Sequence, residues 1–382
     1  MKFSIAQPEL ARITSVVQRA ASTRDTVPVL SGLLIQASQQ NGLTLSATDL
    51  EIAIQANTPA VSVEDDGTVL TNARYFSELV RFLPENDLVL STDETRSRLV
   101  ITYGRSESHL NLYNPEEYPD LPVNNLQHLL SLPQIVLKEA LRKTAFAAAA
   151  NHFRQVFTGV LFDIESDRLR VVASDTHRLA LMNIALDTPA SQPQQFVVPA
   201  RTVNELTRVL DDSTEPISIG FTNHSVVFYR TESGFYIISR LLEGQYPNYL
   251  PVIPQNFVAS LTLDTRSLAN SLERAILMPG DKQATKQSIR NVVLDIKEHE
   301  LNLSSYSEKM GELNEVIENT VLEGESGLQV AFNTRYFLDI VRILQNEASQ
   351  LSLHFTGSCS PALIKDPQND NYLYVLVPLL AT

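Results

Sequence analysis

Three arginine–acid–arginine triplets stand at one spacing in this chain: Arg74/Glu78/Arg81, Arg201/Glu205/Arg208 and Arg335/Asp339/Arg342. Offsets of four and seven residues put all three charges on one helix face. Two guanidinium groups on one face can grip successive phosphates, or the acid between them can hold them. A single helix of this kind usually carries a solvated, internally paired face. Other reactive residue types form no constellation. There is no P-loop, no G-x-G-x-x-G, no G-x-S-x-G, no H-E-x-x-H and no C-x-x-C. The seven histidines (His109, His128, His152, His177, His224, His299 and His354) lack metal-ligand spacing. Cys359, the only cysteine, is expected to be a buried, inert thiol, and no intramolecular disulfide is possible. Asp49 and Asp175 precede equivalent strand turns and read as turn caps. No catalytic residue, no cofactor and no metal site is expected.

The elements that must carry the triplets repeat with them. The segments are VLTNARYFSELVRFL (69–83), FVVPARTVNELTRVL (196–210) and VAFNTRYFLDIVRIL (330–344), with first arginines 127 and 134 residues apart. Two further landmarks keep this register. Short alternating strands begin at Leu43-x-Leu45, Leu169-x-Val171 and Leu301-x-Leu303. A second helix opens each unit as LARITSVVQR (10–19), LKEALRKTAF (137–146) and LANSLERAIL (268–277). A fixed period of domain size implies tandem copies of one domain, with boundaries at 1–126, 127–255 and 256–382. Pro- and Asn-rich stretches at 114–125 and 244–256 are the expected linkers. Strand candidates such as RLVITY, VVFYR, FYIISR and YLYVLV show no β-α-β alternation. The expected class is therefore α+β: two helices per copy against antiparallel sheet, six helices in all.

The net charge of −14 argues against a polyanion partner, but its distribution reverses that reading. The six helix segments, taken as 8–19, 72–83, 134–144, 200–210, 266–276 and 333–344, carry 13 basic and six acidic residues, leaving 17 basic and 38 acidic elsewhere. Basic helices on an acidic protein suit a phosphate backbone read without sequence preference. No apolar run reaches the ~18 residues needed to span a membrane, and MKFSIAQPEL has no signal-like apolar stretch. A cytoplasmic protein with no membrane partner is expected.

Over its whole length the chain resembles the bacterial sliding clamp family, the beta subunit of replicative DNA polymerase III. The most specific segments are VPVLSGLLIQA (27–37), ATDLEIAI (47–54), VVASDTHRLAL (171–181), LLEGQYPNYLPVIP (241–254), AFNTRYFLDIV (331–341) and YVLVPLL (374–380). The resemblance implies a DNA clamp fold and a head-to-tail homodimer forming a ring of six domains. Duplex DNA would pass through a hole lined by twelve helices. The implied function is polymerase processivity without enzymatic activity. The implied partners are double-stranded DNA, the replicative polymerase catalytic subunit, the clamp loader and other proteins with clamp-binding motifs. Arg24 and Arg154 match family DNA-contact positions; Arg74, Arg142, Arg201, Arg208 and Arg342 join them from the helix faces. The dimer interface would pair an edge strand including His109 and Leu110 with Ile276 and Leu277.

The resemblance also implies a peptide pocket. It would use Phe157, Thr176, His177, Arg178, Leu179, Pro247, Val252, Ile289, Asn333, Tyr336, Val375, Leu376, Val377, Pro378 and Leu379. Such a groove, mostly apolar with a few polar anchors, suits short Leu/Phe peptides. Arg178 would offer hydrogen bonds to the peptide. Three features depart from the family pattern: Pro251 and Leu380 stand where arginine is common, and Gln155 and Val156 where aromatics follow the arginine. A clamp paralogue with altered partners therefore stays open. A polyanion hydrolase on the same scaffold would need a carboxylate or metal-ligand cluster in one copy, and the sequence has none.

Overall fold

A computed structural model describes residues 1–23, 27–93, 95, 97–122, 126–222, 225–278 and 291–379. Its contacts group the chain into two units. The first comprises residues 1–138, 186–193 and 201–242; the second comprises 139–185, 194–200 and 243–382. Six α-helices lie among the described residues: α1 (Gln7–Val17), α2 (Ala73–Phe82), α3 (Gln134–Thr144), α4 (Ala200–Val209), α5 (Thr265–Ala275) and α6 (Thr334–Leu344).

Three helices start where the sequence supplies a cap. Asn72 accepts from the Tyr75 amide at the start of α2, Asp264 from Ser267 at α5, and Asn333 from Arg335 and Tyr336 at α6. Each side chain satisfies amides left unpaired by the first turn. In α1, which lacks such a cap, Pro8 sits in the first turn instead. The apolar stripes face inward: Phe76 and Val80 of α2, and Phe337, Ile340 and Val341 of α6, are fully buried. Each contributes roughly 1.5–3 kcal/mol. The opposite faces carry the arginines into solvent.

In the first unit, 13 antiparallel strands run in one sheet. Its order is Gln127–Pro133, Pro216–Phe221, Ser225–Arg230, Phe235–Arg240, Ile52–Thr58, Gly42–Thr48, Gly32–Ser38, Gly67–Asn72, Ser106–Tyr113, Arg98–Tyr103, Asp87–Thr92, Lys2–Ala6 and Ser62–Asp65. The second unit holds nine strands in the order Gln194–Pro199, Gly159–Ile164, Arg168–Ser174, Arg178–Ala185, Tyr372–Leu376, Ala362–Lys365, Gln350–Phe355, Ala259–Asp264 and Val321–Gly324. A four-stranded sheet follows: Gly311–Glu318, Glu300–Ser307, Asn291–Ile296 and Leu328–Asn333. The α+β class with antiparallel sheets is as expected.

Two seams explain why contacts give two units while the sequence repeats three times. Phe235–Arg240 pairs with Ile52–Thr58 in the first unit, with Ser239 opposite Ile52. Tyr372–Leu376 pairs with Arg178–Ala185 in the second, with Leu376 opposite Arg178. Each seam joins strands from adjacent copies into one sheet, so backbone hydrogen bonds cross the sequence boundaries.

Candidate nucleic-acid and peptide interfaces

In the first unit, exposed faces of α1, α2 and α4 line a cleft of about 730 Å³ containing Arg19, Arg74, Arg81 and Arg201. Its other walls are small or hydroxylated, among them Ala11, Ser15, Thr23 and Ser77. Most of these arginines are held by acids. Arg74 Nε lies 3.3 Å from Glu78, and Arg201 pairs with Asp49. Glu205 takes both Arg208 at 2.5 Å and Arg19 at 3.4 Å. Arg81 has no carboxylate partner among the described residues and lies over the Phe82 ring at 4.6 Å.

The same pattern holds in the second unit. Arg142 pairs with Glu347, and Arg342 with Glu273 at 3.0 Å. Lys143, one of the basic charges counted on the helices, is buried instead. Its Nζ lies 2.6 Å from Glu139, 2.5 Å from Glu347 and 5.4 Å from the Tyr372 ring centroid. Arg154 sits on a loop beside Phe153, which is 86% exposed. Arg24 lies outside the described residues.

A second cleft, about 1320 Å³, lies within the second unit. It brings together Thr176, His177, Arg178, Asn333 and Tyr336 of the expected peptide site, adding Phe146, Asp175 and Asp339. Arg342, expected at DNA, lines it too. The turn Asp175–Arg178 builds one wall. Asp175 Oδ1 accepts from the His177 and Arg178 amides at 3.0 Å each, and Thr176 adopts a left-handed φ of 76°. The turn-cap reading of Asp175 therefore holds, and Asp49 caps Glu51 and Ile52 in the same way.

Arg178 differs from its expected role. It is only 8% exposed. Its Nε donates to Asp175 at 3.0 Å, Nη1 to Asp339 at 2.7 Å and Nη2 to the Phe146 carbonyl at 2.7 Å. The Tyr336 ring lies 4.2 Å away. Burial opposes its charge, but Tyr374, Asp339 and Asp175 outweigh it and raise its pKa above the ordinary guanidinium value. Every guanidinium nitrogen already donates within the protein, so Arg178 braces the wall. The exposed His177 ring, stacked with Tyr336 at 6.4 Å, is available to a partner.

None of the remaining expected residues that are described lines this cleft. Leu179, Val375 and Leu376 are buried in the sheet. Phe157 is buried too, its ring edge-on to Tyr246 at 5.7 Å. Leu179 and Phe157 thus belong to the core, not to an open wall. Val377 donates to the His177 carbonyl at 2.9 Å and Leu379 to Ala331 at 2.7 Å, so the segment around Pro378 is laced to both sides. Pro247 is half-buried, while Val252 lines a separate shallow depression with Pro251. Ile289 and Leu380 lie outside the described residues. Phe146 and Asp339 were missed as site residues: Phe146 offers a backbone oxygen, which no residue type announces, and Asp339 reads as a helix-face acid.

At the expected dimer contact, His109 is exposed and lies 3.2 Å from Glu107. Leu110 is buried within its own sheet, so its side chain is not the contact expected. Leu277 is 74% exposed beside the half-buried Ile276. Cys359 is also a correction: it is exposed, in the turn after Gln350–Phe355. Among the described residues, no group of three or more His, Cys, Asp or Glu is placed to hold a metal, and no helix is long and apolar enough to cross a membrane.

Repeated antiparallel sheets with arginine-bearing helices are the architecture expected of a DNA clamp. Family models for the N-terminal, central and C-terminal domains of the DNA polymerase III beta subunit match residues 1–122, 131–248 and 251–380. The beta sliding clamp of Bacillus subtilis is 32% identical over 388 residues, covering 99% of each chain. That of Staphylococcus aureus is 30% identical with the same coverage. A crystal structure of the Bacillus subtilis clamp superimposes with a TM-score of 0.91 at 30% identity, over 100% of both chains. A Pseudomonas aeruginosa clamp bound to griselimycin gives 0.90 at 25%, again over 100% of both. The chain belongs to the DNA polymerase III beta subunit family, the bacterial beta sliding clamps, and serves as a processivity clamp in DNA replication.

Proposed function

We propose that two copies of this chain, each with clamp domains at 1–126, 127–255 and 256–382, close head to tail into a ring around duplex DNA. The observation that carries the reading is the repeated arginine face on a protein of net charge −14. Arg74, Arg142, Arg154, Arg201, Arg208 and Arg342, with Arg24, contact the phosphates. Contacts of this kind are sequence-independent and weaken with salt. A topological link needs no tight binding, so weak contacts are compatible with long retention. The ring acts in the cytoplasm, without catalysis of its own.

The cleft at His177, Asn333 and Tyr336 takes short apolar peptides from the polymerase catalytic subunit, the clamp loader and other partners. Its exposed aromatic face and polar rim support this. Loading on primed circular DNA tests the ring: linearising the circle should release the protein. Retention unchanged after linearisation would sink the topological link. Tyr336→Ala should abolish capture of a Leu/Phe peptide while leaving the protein on the circle.

A further inference from the structure

The turn that builds the peptide cleft occurs twice. In the second unit, the Ser174 hydroxyl donates to the Arg178 carbonyl at 2.8 Å, and the Thr176 amide donates to Ser174 Oγ at 3.2 Å. In the first unit, the Thr48 hydroxyl donates to the Ile52 carbonyl at 2.9 Å, and the Leu50 amide to Thr48 Oγ1 at 3.0 Å. Asp49 and Asp175 cap the two turns alike, and Leu50 has φ 75° where Thr176 has 76°. The seams then close identically. The Arg240 amide donates to the Glu51 carbonyl at 3.0 Å, as the Val377 amide does to His177 at 2.9 Å. Tyr118 and Tyr246, in YPDLP and YPNYLP, are both buried beside these turns.

The copy in the first unit is not filled in. A depression of about 320 Å³ lies there, its apolar lining supplied by Leu50, Ile52, Pro119, Leu121, Pro122 and Ile238. Leu50 is 53% exposed. A leucine held at positive φ is strained, and such strain gathers at ligand clamps. The chemistry has changed from one copy to the other. Ile52 replaces the bracing Arg178, so the floor is apolar. Glu51 replaces His177 and Asp120 replaces Asn248, so the rim gains two exposed acids. Arg240 is the facing cation, 3.7 Å from Glu51 and largely exposed. Asp49 is already committed to Arg201.

We propose that this seam, between Ile52–Thr58 and Phe235–Arg240, is a second peptide-binding site, taking a short linear segment with one Leu or Phe beside a Lys or Arg. The apolar residue enters the depression, and the cation meets Glu51 and Asp120. The proposal rests on reading the Tyr336 cleft as a peptide site, because the shared turn and seam geometry transfers that role.

The test uses the full-length protein and three labelled decapeptides: one Leu-Phe pair flanked by lysines, the same pair flanked by glutamates, and a scrambled lysine peptide. Calorimetry should give two sites for the lysine peptide. Leu50→Gly, which relieves the backbone strain while removing the apolar wall, should weaken one of them by about tenfold. Glu51→Lys should weaken that same site for the lysine peptide and strengthen it for the glutamate peptide. Tyr336→Ala should remove only the other site. Loss of binding through Leu50→Gly alone, with Tyr336→Ala silent, would support this site and sink the Tyr336 cleft. Binding unaffected by Leu50→Gly and Glu51→Lys, or equal for the scrambled peptide, overturns the proposal.

Discussion

Arg178 shows what a single residue can reveal and conceal. The DTHRL segment marks a specialised turn, and the Asp175 cap follows from an aspartate placed before a strand. What the segment does not disclose is that the guanidinium is already occupied, because Asp339 lies 161 residues away. Arg178→Gln would leave Asp175 and Asp339 facing each other without a cation. Breaking a buried pair of this kind costs about 3 kcal/mol, read as a lower denaturant midpoint for the second unit. Arg178→Lys should recover less than half, since one ammonium cannot span three acceptors in the plane of a guanidinium. His354 gives a pH-dependent counterpart. Burial, then the nearby Lys365, lowers its pKa below the ordinary 6.5. Its Nδ1 lies 2.8 Å from Ser260 Oγ, while Nε2 is buried without a partner. A base with a depressed folded pKa binds fewer protons folded than unfolded. Its contribution is therefore present above pH 6.5 and is lost as pH falls through the lower folded value. Thermal midpoints between pH 7.5 and 5.5 should fall less steeply in His354→Gln than in the parent; parallel slopes would remove the assignment.

Helices were the most legible elements. The repeat period and the amphipathic pattern located all six, and the arginines stand on exposed faces as the four-and-seven spacing requires. Their electrostatic state was partly hidden, because several partners come from distant parts of the chain: Glu205 holds Arg19 across 186 residues, and Glu347 holds Arg142 across 205. These faces are therefore not bare cationic strips. A phosphate must displace a carboxylate before it gains an arginine, which keeps each contact weak and readily exchanged. Glu205→Gln should free Arg19 and Arg208, and Glu273→Gln should free Arg342. Each exposed pair is worth about 0.2–1 kcal/mol, so affinity for duplex DNA should rise between about 1.4- and 5-fold per released arginine. The salt dependence should steepen with it. Single-molecule tracking should show slower diffusion of the double variant along DNA. Unchanged affinity and salt slope would mean that these arginines do not meet phosphate.

At the scale of the molecule, three copies could be read from the sequence, but the two-unit grouping could not. Sheet pairing across a repeat boundary is made by backbone amides and carbonyls, which have no side-chain signature. On the proposed head-to-tail dimer, the same backbone logic supports two edges as the places where a second copy would attach. Ser106–Tyr113 pairs with Arg98–Tyr103 along one side, but on the other reaches Gly67–Asn72 only through Leu112 and Tyr113. Gly311–Glu318 has a single neighbour among the described residues. Open edges invite pairing with another chain, and both of these carry exposed charge. Arg105 precedes the first, which holds Glu107 beside His109, while Glu312 and Glu318 are exposed on the second. Tyr306, Met310, Val316 and Leu277 add exposed apolar surface in the second unit. Head-to-tail closure would satisfy these two edges at each of two equivalent contacts, leaving neither of them to propagate a filament. Ile276→Ala with Leu277→Ala should remove about 1.5 kcal/mol or more per side chain, weakening each contact by more than about a hundredfold. Sedimentation across a dilution series should then show monomers where the parent is dimeric. A double variant still dimeric at nanomolar concentration would place the contact elsewhere. A variant that turned monomeric yet stayed on circular DNA would sever the link between dimer closure and retention.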